Sequence, residues 1–440
     1  MSAPTVSGAT PKKDNAVKVS LASMIGTVVE SYDFFIYATA AATYFGTVFF
    51  ATDDPIVGAL YSFATLAIGF LFRPIGGYLA GHFGDRIGRK RVLIWSLVVM
   101  GVVTTLIGVL PTFATIGIAA PIMLIVLRII QGVAYGAEWG GAVLMAVEHA
   151  PERRRGFFGA LPQIGIPGGL LLANGVILAT SGLPGDWAWR VPFLLASVMV
   201  IIGLFIRLKV AESPAFEAVK EQGEVLKAPA LEAIKQDWRS ILRVIGLRLA
   251  ETGGYYVTTS FVVSYVGLAA ITDSRNVLVG TLVGSAIGLV SHLAYGAWSD
   301  RIGRKKVYLI GSIFTIAFGI PMFLLINTGS LVMIVVAVAL SLVLSHDPIF
   351  AVESSWFSEL FPANRRTSGI SLGYNGAAIV AGFLPFIATA VYGAVGWMGP
   401  ALLFTLLGVI STAVAITARE TAPAIVGTAK AEQPILEGVR

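Results

Sequence analysis

Two acids stand one helical turn apart inside an otherwise apolar stretch. In "VESYDFFIY", Glu30 and Asp33 fall on one helix face, and Tyr37 joins them four residues on. An ionisable group at mid-membrane costs about 2.5–3.5 kcal/mol on insertion scales, so such acids must face water, meet a cation or hold a proton. An apolar site and a neighbouring carboxylate both favour the protonated acid, which is what a proton carrier needs. A fixed structural ion pair is the alternative.

Another apolar run supplies the cation. Arg128, Gln131, Tyr135 and Glu138 recur at helical spacing on one broad face. Arginine keeps its proton and presents a planar fork to carboxylates. It suits a substrate carboxylate, Asp33, or each in turn, the alternative being a fixed pair with Glu30 or Asp33. With Tyr37, these four are substrate-binding candidates. Arg73, before Pro74 in "FRPIGG", suits a gate or a side chain reaching for the membrane surface.

The second half of the chain offers a similar set. Arg248, Glu251 and Tyr255 repeat the i, i+3, i+7 pattern, and His346 and Glu353 share a face seven residues apart. Glu251 and Tyr255 join the substrate-binding candidates, while His346 and Glu353 join Glu30 and Asp33 as candidates for proton coupling. Asp347 adjoins His346, and Pro348 is expected to break the helix there. His292 stands alone and reads as a packing residue. Four scattered histidines and no cysteine argue against a metal site. No nucleophile–base pair or phosphate-binding loop is present, so neither catalytic residues nor a cofactor are expected.

A charged decapeptide occurs twice. "GHFGDRIGRK" at 81–90 returns as "GAWSDRIGRK" at 296–305, an offset of 215 from Asp85 to Asp300. A weaker echo pairs "EHAPERRRG" with "ELFPANRRTSG". An aspartate facing the N-terminus of a neighbouring helix gains roughly 0.3–1 kcal/mol, so each copy suits a cytoplasmic gate. Its candidate residues are Gly81, Asp85, Arg86, Gly88 and Arg89, with Asp300, Arg301, Gly303 and Arg304. Loop topology alone is the alternative.

The elements that must position these groups are long apolar helices. Charged residues are 13% and hydrophobic ones 56%, and the mean hydropathy is +0.81, which marks a polytopic membrane protein. A bilayer core of about 30 Å needs about 20 apolar residues per helix. Twelve spans fit, near 20–48, 57–81, 92–111, 115–147, 157–181, 189–208, 241–270, 277–298, 307–326, 330–358, 368–394 and 398–418. Continuous runs exclude a β-barrel. Threaded from a cytoplasmic N-terminus, 26 of the 31 Lys and Arg lie inside, so both termini are expected there. Basic groups spread over short loops have this topological role, and no nucleic-acid partner is expected. No cleaved leader is recognisable in the polar start of the chain.

The expected organisation is therefore all-α: a tail at 1–19, a six-helix bundle at 20–208, a cytoplasmic linker at 209–240, a second bundle at 241–418 and a tail at 419–440. Both halves start inside, which makes them parallel repeats. Small residues four apart, such as Gly132/Gly136/Gly140 and Gly280/Gly284/Gly288, suit close and sliding helix contacts.

The repeated loop, G-x-x-x-D-R-x-G-R-[RK] between the second and third spans, resembles the signature of the major facilitator superfamily. "LIVLRIIQG" at 124–132 resembles its fourth-span signature. "VESYDFFIY", "FLFRPIGG" and "GAEWGGA" resemble the metabolite:proton symporter branch, with Ala137 a departure from its pattern. The resemblance covers residues 20 to 420 and implies twelve helices in two bundles. It further implies carriers of solutes such as shikimate, α-ketoglutarate, citrate or betaines. The expected function is secondary active transport in a cell membrane, the bacterial inner one. The expected cargo is a proton together with a small carboxylate-bearing or zwitterionic metabolite. An exporter on the same fold and a transporter-like substrate sensor are the alternatives; an enzyme is not expected.

Overall fold

A computed structural model describes residues 13–79, 89–136, 147, 150–209, 229–362 and 366–426. The fold is all-α, with no strand among the described residues. The first half contains α1 (Lys13–Thr43), α2 (Pro55–Leu79), α3 (Arg89–Val109), α4 (Ala119–Gly136), α5 (Arg155–Thr180) and α6 (Trp187–Lys209). The second opens with α7, which runs from Pro229–Arg248, kinked at Asp237 where the backbone leaves helical geometry (φ −115°, ψ 17°), through two π-helical turns, Leu249–Gly253 and Val257–Phe261, to Val262–Leu268. It continues with α8 (Ser274–Ile302), α9 (Arg304–Asn327), α10 (Leu331–Leu360), α11 (Ser368–Val395) and α12 (Met398–Thr417). Among the described residues, nine helices are long and apolar enough to cross a membrane on length and composition alone. The other three are α1 and α7, which carry the ionisable residues discussed above, and α3, whose apolar stretch is only Ile94–Val109.

The surface is inverted relative to a soluble protein. Large apolar side chains such as Trp95 (64% exposed) and Val290 (70%) point outward, while arginines and carboxylates lie inside. Lipid solvates the former and helices satisfy their own backbone groups, so this arrangement suits a bilayer. Helix starts follow local chemistry. Asp54 caps α2 by accepting from Ile56 N (2.8 Å) and Val57 N (3.3 Å), with Pro55 at the position that needs no N–H. At the tight join of α8 and α9, Gly303 adopts φ +106°, open to glycine alone at little cost.

Glycine lets α2 and α4 touch backbone to backbone. A Cβ on Gly132 would lie 2.2 Å from the Gly69 carbonyl oxygen, and one on Gly136 would lie 1.9 Å from that of Arg73. The same contact brings Arg73 and Arg128 to one level of the bundle. Aromatic rings then join the halves: Phe34 lies 5.4 Å from Tyr256, Phe35 5.6 Å from Tyr255, and Phe70 5.4 Å from Tyr256.

The expected helix break at Pro348 is not there. A π-helical turn, Ser341–His346, precedes it and α10 continues through Asp347–Leu360. Proline clashes with the carbonyl four residues back in a regular helix, and a wider turn relieves that clash.

Candidate functional site

In the first half the buried polar groups form a relay. Asp33 (2% exposed) accepts from the Thr104 hydroxyl at 2.6 Å. Gln131 Nε2 donates to the same hydroxyl oxygen at 2.7 Å, and Gln131 Oε1 accepts from Arg128 Nη1 at 2.6 Å. Arg128 (3% exposed) lies with Cζ 3.8 Å from the Tyr37 ring centre, and Tyr37 shares a 2.6 Å hydrogen bond with Thr65. Gly69 makes room for the guanidinium, since a Cβ there would lie 2.7 Å from Arg128 Nε. That Nε is buried without a hydrogen-bond partner.

Thr104 is built as a switch. Its one hydrogen has two acceptors, Asp33 Oδ2 at 2.6 Å and the Met100 carbonyl at 2.9 Å. An ionised Asp33 takes it. A protonated Asp33 can donate instead, and the threonine hydrogen then turns to Met100. Sequence reasoning missed Thr104, because nothing distinguishes it from the other hydroxyls of an apolar helix. Among the described residues no direct ion pair joins Asp33 to Arg128, so the clamp considered above is an indirect one.

Among the described residues Arg73 keeps aromatic company inside the bundle. Its Cζ lies 3.9 Å from the ring centres of Phe70 and Tyr135 and 5.4 Å from that of Phe34. Phe34, Arg73, Arg128, Gln131 and Tyr135 together line a central cavity of only ≈ 10 Å³, room for about one water. The centre is closed. Glu30 is buried on α1 near this group, and Glu138 lies outside the described residues.

In the second half, Arg248 meets Glu251 (Nη2 to Oε2, 2.9 Å), Glu353 (Nε to Oε2, 3.5 Å) and the face of Tyr374 (3.4 Å). His346 contacts Glu251 on one side (Nε2 to Oε1, 3.3 Å) and Asp347 on the other (Nδ1 to Oδ1, 3.0 Å). Tyr255 packs on the His346 ring at 4.3 Å. Two of these residues, Glu251 and His346, sit on π-helical turns, which widen a helix and re-aim its side chains. His292 is no isolated packing residue: its Nδ1 lies 3.6 Å from Asp347 Oδ1, and Ser291 donates to the other Asp347 oxygen. The tertiary meeting of α8 with α10 creates this contact, and no spacing in the chain announces it.

Of the repeated loop, Gly81, Asp85, Arg86 and Gly88 lie outside the described residues, as does the side chain of Arg89. The second copy is well defined. Asp300 accepts from the first-turn amides of α5, Gly156 N at 2.8 Å and Phe157 N at 2.9 Å, and so ties the second half to the first. Arg304 donates to Asp300 (2.7 Å) and approaches Glu359 (3.7 Å). Gly303 supplies the turn, and Arg301 is exposed. At the opposite end of the molecule, a cavity of ≈ 250 Å³ opens between the halves, lined by Thr43, Thr47, Asp53, Asp54 and Ser264.

The Major Facilitator Superfamily matches residues 23–345 and 277–439. The shikimate transporter of Escherichia coli (strain K12) is 38% identical over 418 residues, covering 92% of this chain and 95% of its own. The proline/betaine transporter of the same organism is 33% identical over 422 residues, covering 92% and 84%. A crystal structure of a D-xylose-proton symporter shares the fold, with a TM-score of 0.67 at 16% identity over 91% of this chain and 96% of that one. The chain belongs to the Major Facilitator Superfamily. It is a multi-pass membrane protein that acts as a secondary transporter of small molecules, and not an enzyme.

Proposed function

We propose that this superfamily member is a proton-coupled symporter of a small carboxylate-bearing metabolite, an acid or a zwitterion. Asp33 carries the proton and Arg128 receives the carboxylate. The observation that supports this is the relay Arg128–Gln131–Thr104–Asp33 at the closed centre. Charge balance gives it a direction. Among the described residues of the first half, Glu30 and Asp33 offset Arg73 and Arg128 inside the bundle. Protonation of Asp33 adds one positive charge there, and a substrate carboxylate offsets it. Proton and anion then enter the buried centre together more cheaply than either alone. Glu30, Tyr37, Gln131 and Tyr135 shape this site, and Tyr255 reaches it from the second half through Phe35; Glu138, outside the described residues, and Glu251 are further candidates.

The cavity between Thr43 and Ser264 serves as the outer vestibule, and Asp300 on α5 as the inner latch. The chain sits in a bacterial inner membrane with both termini and the 209–240 linker in the cytoplasm, in keeping with its basic loops. The similar proteins include a shikimate transporter and a proline/betaine transporter, an acid and zwitterions, in keeping with this cargo class.

The test is solute uptake into vesicles containing the purified protein, after a thermal-shift screen of organic acids and betaines selects a ligand. An inward proton gradient should drive accumulation of that ligand above its external concentration. Equilibration alone, indifferent to the gradient, would contradict the proposal.

A further inference from the structure

One buried cluster inside the second half holds more carboxylates than cations. Arg248 is in contact with Glu251 and Glu353, His346 joins Glu251 to Asp347, and His292 approaches Asp347 from α8. All six side chains are buried. The cluster thus sets one guanidinium against three carboxylates. With every acid ionised and both imidazoles neutral, the set would carry two uncompensated negative charges away from water, an arrangement that buried sites avoid by binding protons.

The geometry also says where protons belong. Each ring nitrogen of His346 faces a carboxylate oxygen, at 3.3 Å and 3.0 Å. A neutral imidazole has a single N–H: Nδ1 is hydrogen-bonded to Asp347, whereas Nε2 sits beside Glu251 without a formed hydrogen bond, a position that a further proton on the ring or on the acid would satisfy. Glu353 is fully enclosed, and neither of its oxygens accepts a hydrogen bond. Its polar neighbour among the described residues is Arg248 at 3.5 Å, which Glu251 already engages more closely at 2.9 Å. A neutral acid tolerates that position and a carboxylate does not. His292 Nδ1 donates to the Gly288 carbonyl at 2.7 Å, which leaves Nε2 buried and without a partner.

We propose that Glu251, His346, Asp347, His292 and Glu353 form a second proton-binding site that holds two protons in the closed state, separate from Asp33. Its place in transport rests on the symport reading; its proton occupancy does not. The groups that face it include Arg248, Thr252, Tyr255 and Tyr256 on α7, Ser291 and Tyr295 on α8, Tyr308 on α9 and Tyr374 on α11. From neighbouring elements, Tyr308 donates to the Leu247 carbonyl, Ser411 of α12 donates to the Gly246 carbonyl (2.7 Å), and Gln163 of α5 donates to the Phe350 carbonyl (3.4 Å).

The experiment is pH-difference infrared spectroscopy of the full chain in lipid nanodiscs, which needs no substrate. Near neutral pH the parent should show protonated carboxyl absorption that Glu353→Gln diminishes and that Asp33→Asn leaves in place. Glu251→Gln removes one negative charge, so proton release from neutral to high pH should fall by one per chain. Should Glu353→Gln fail to fold, as judged by its melting profile, Asp347→Asn replaces it and should likewise lower proton release. Unchanged carboxyl bands and unchanged proton release in the folded variants would overturn the second site. Intact bands in a protein that transports without a proton gradient would instead sink the symport reading and leave the site standing.

Discussion

Asp33 and Arg128 occupy one buried relay without touching: Thr104 and Gln131 stand between them. A direct pair would bury both charges against each other and hold the arginine away from any ligand. The relay passes the state of the acid through two neutral groups, and it keeps Arg128 Nε unpartnered beside the central cavity.

Thr104→Val removes the hydroxyl at nearly constant volume. It should lower proton-driven accumulation more than it lowers solute exchange between equal pools, while Thr104→Ser should retain both. Equal loss of both activities in the valine variant would reduce Thr104 to a packing role.

Arg128→Lys keeps the charge but loses the planar fork and much of the stacking on Tyr37, a contact worth about 0.5–2 kcal/mol. Uptake should drop at least about tenfold, since 1.4 kcal/mol is a factor of ten in an equilibrium constant. Normal uptake by the lysine variant would mean that a point charge suffices.

Asp300→Asn weakens two amide contacts that cross between the halves, Gly156 and Phe157 at the start of α5. The chain has no cysteine, so single reporter cysteines can be placed near Ser354, which packs against Gly159 of α5, and near Ser264 of the opposite cavity without background. Labelling near Ser354 should rise and labelling near Ser264 should fall, as the inner side opens more often. Identical labelling in variant and parent would leave the loop a matter of topology.

Gly132→Ala forces a methyl to within 2.2 Å of the Gly69 carbonyl. Overpacking of this kind costs about 1–3 kcal/mol, so thermal stability should fall by several degrees. Gly175→Ala, whose methyl would meet only Leu282 at 3.9 Å, is the control and should melt like the parent.

How much of this was legible in the chain depends on whether the signal was local. Glu30, Asp33 and Arg128 announced themselves because charge in an apolar run needs a reason, and the structure buries all three. The expectation that Asp300 would meet a helix N-terminus followed from its place beside a short turn, and α5 provides that terminus. The repeat held more than its loops. Its offset of 215 also carries Asp33 onto Arg248 and Gln131 onto His346, so buried polar groups recur at two matched positions. What stayed hidden was tertiary. His292 lies more than fifty residues from Asp347 in the chain, and only the packing of α8 on α10 joins them. The π-helical turns at Glu251 and His346 had no sequence mark either, and they spoil the regular spacing on which such reading relies.

The central claim is that Asp33 couples solute movement to the proton gradient, and Asp33→Asn tests it most directly. The asparagine mimics the neutral acid and can still meet Thr104, so the variant should bind solute and exchange it between equal pools at near-parental rates. With an imposed inward proton gradient, its accumulation should fall to simple equilibration while the parent concentrates the same solute. An Asp33→Asn protein that still concentrates solute under that gradient would place the coupling proton elsewhere and contradict the assignment.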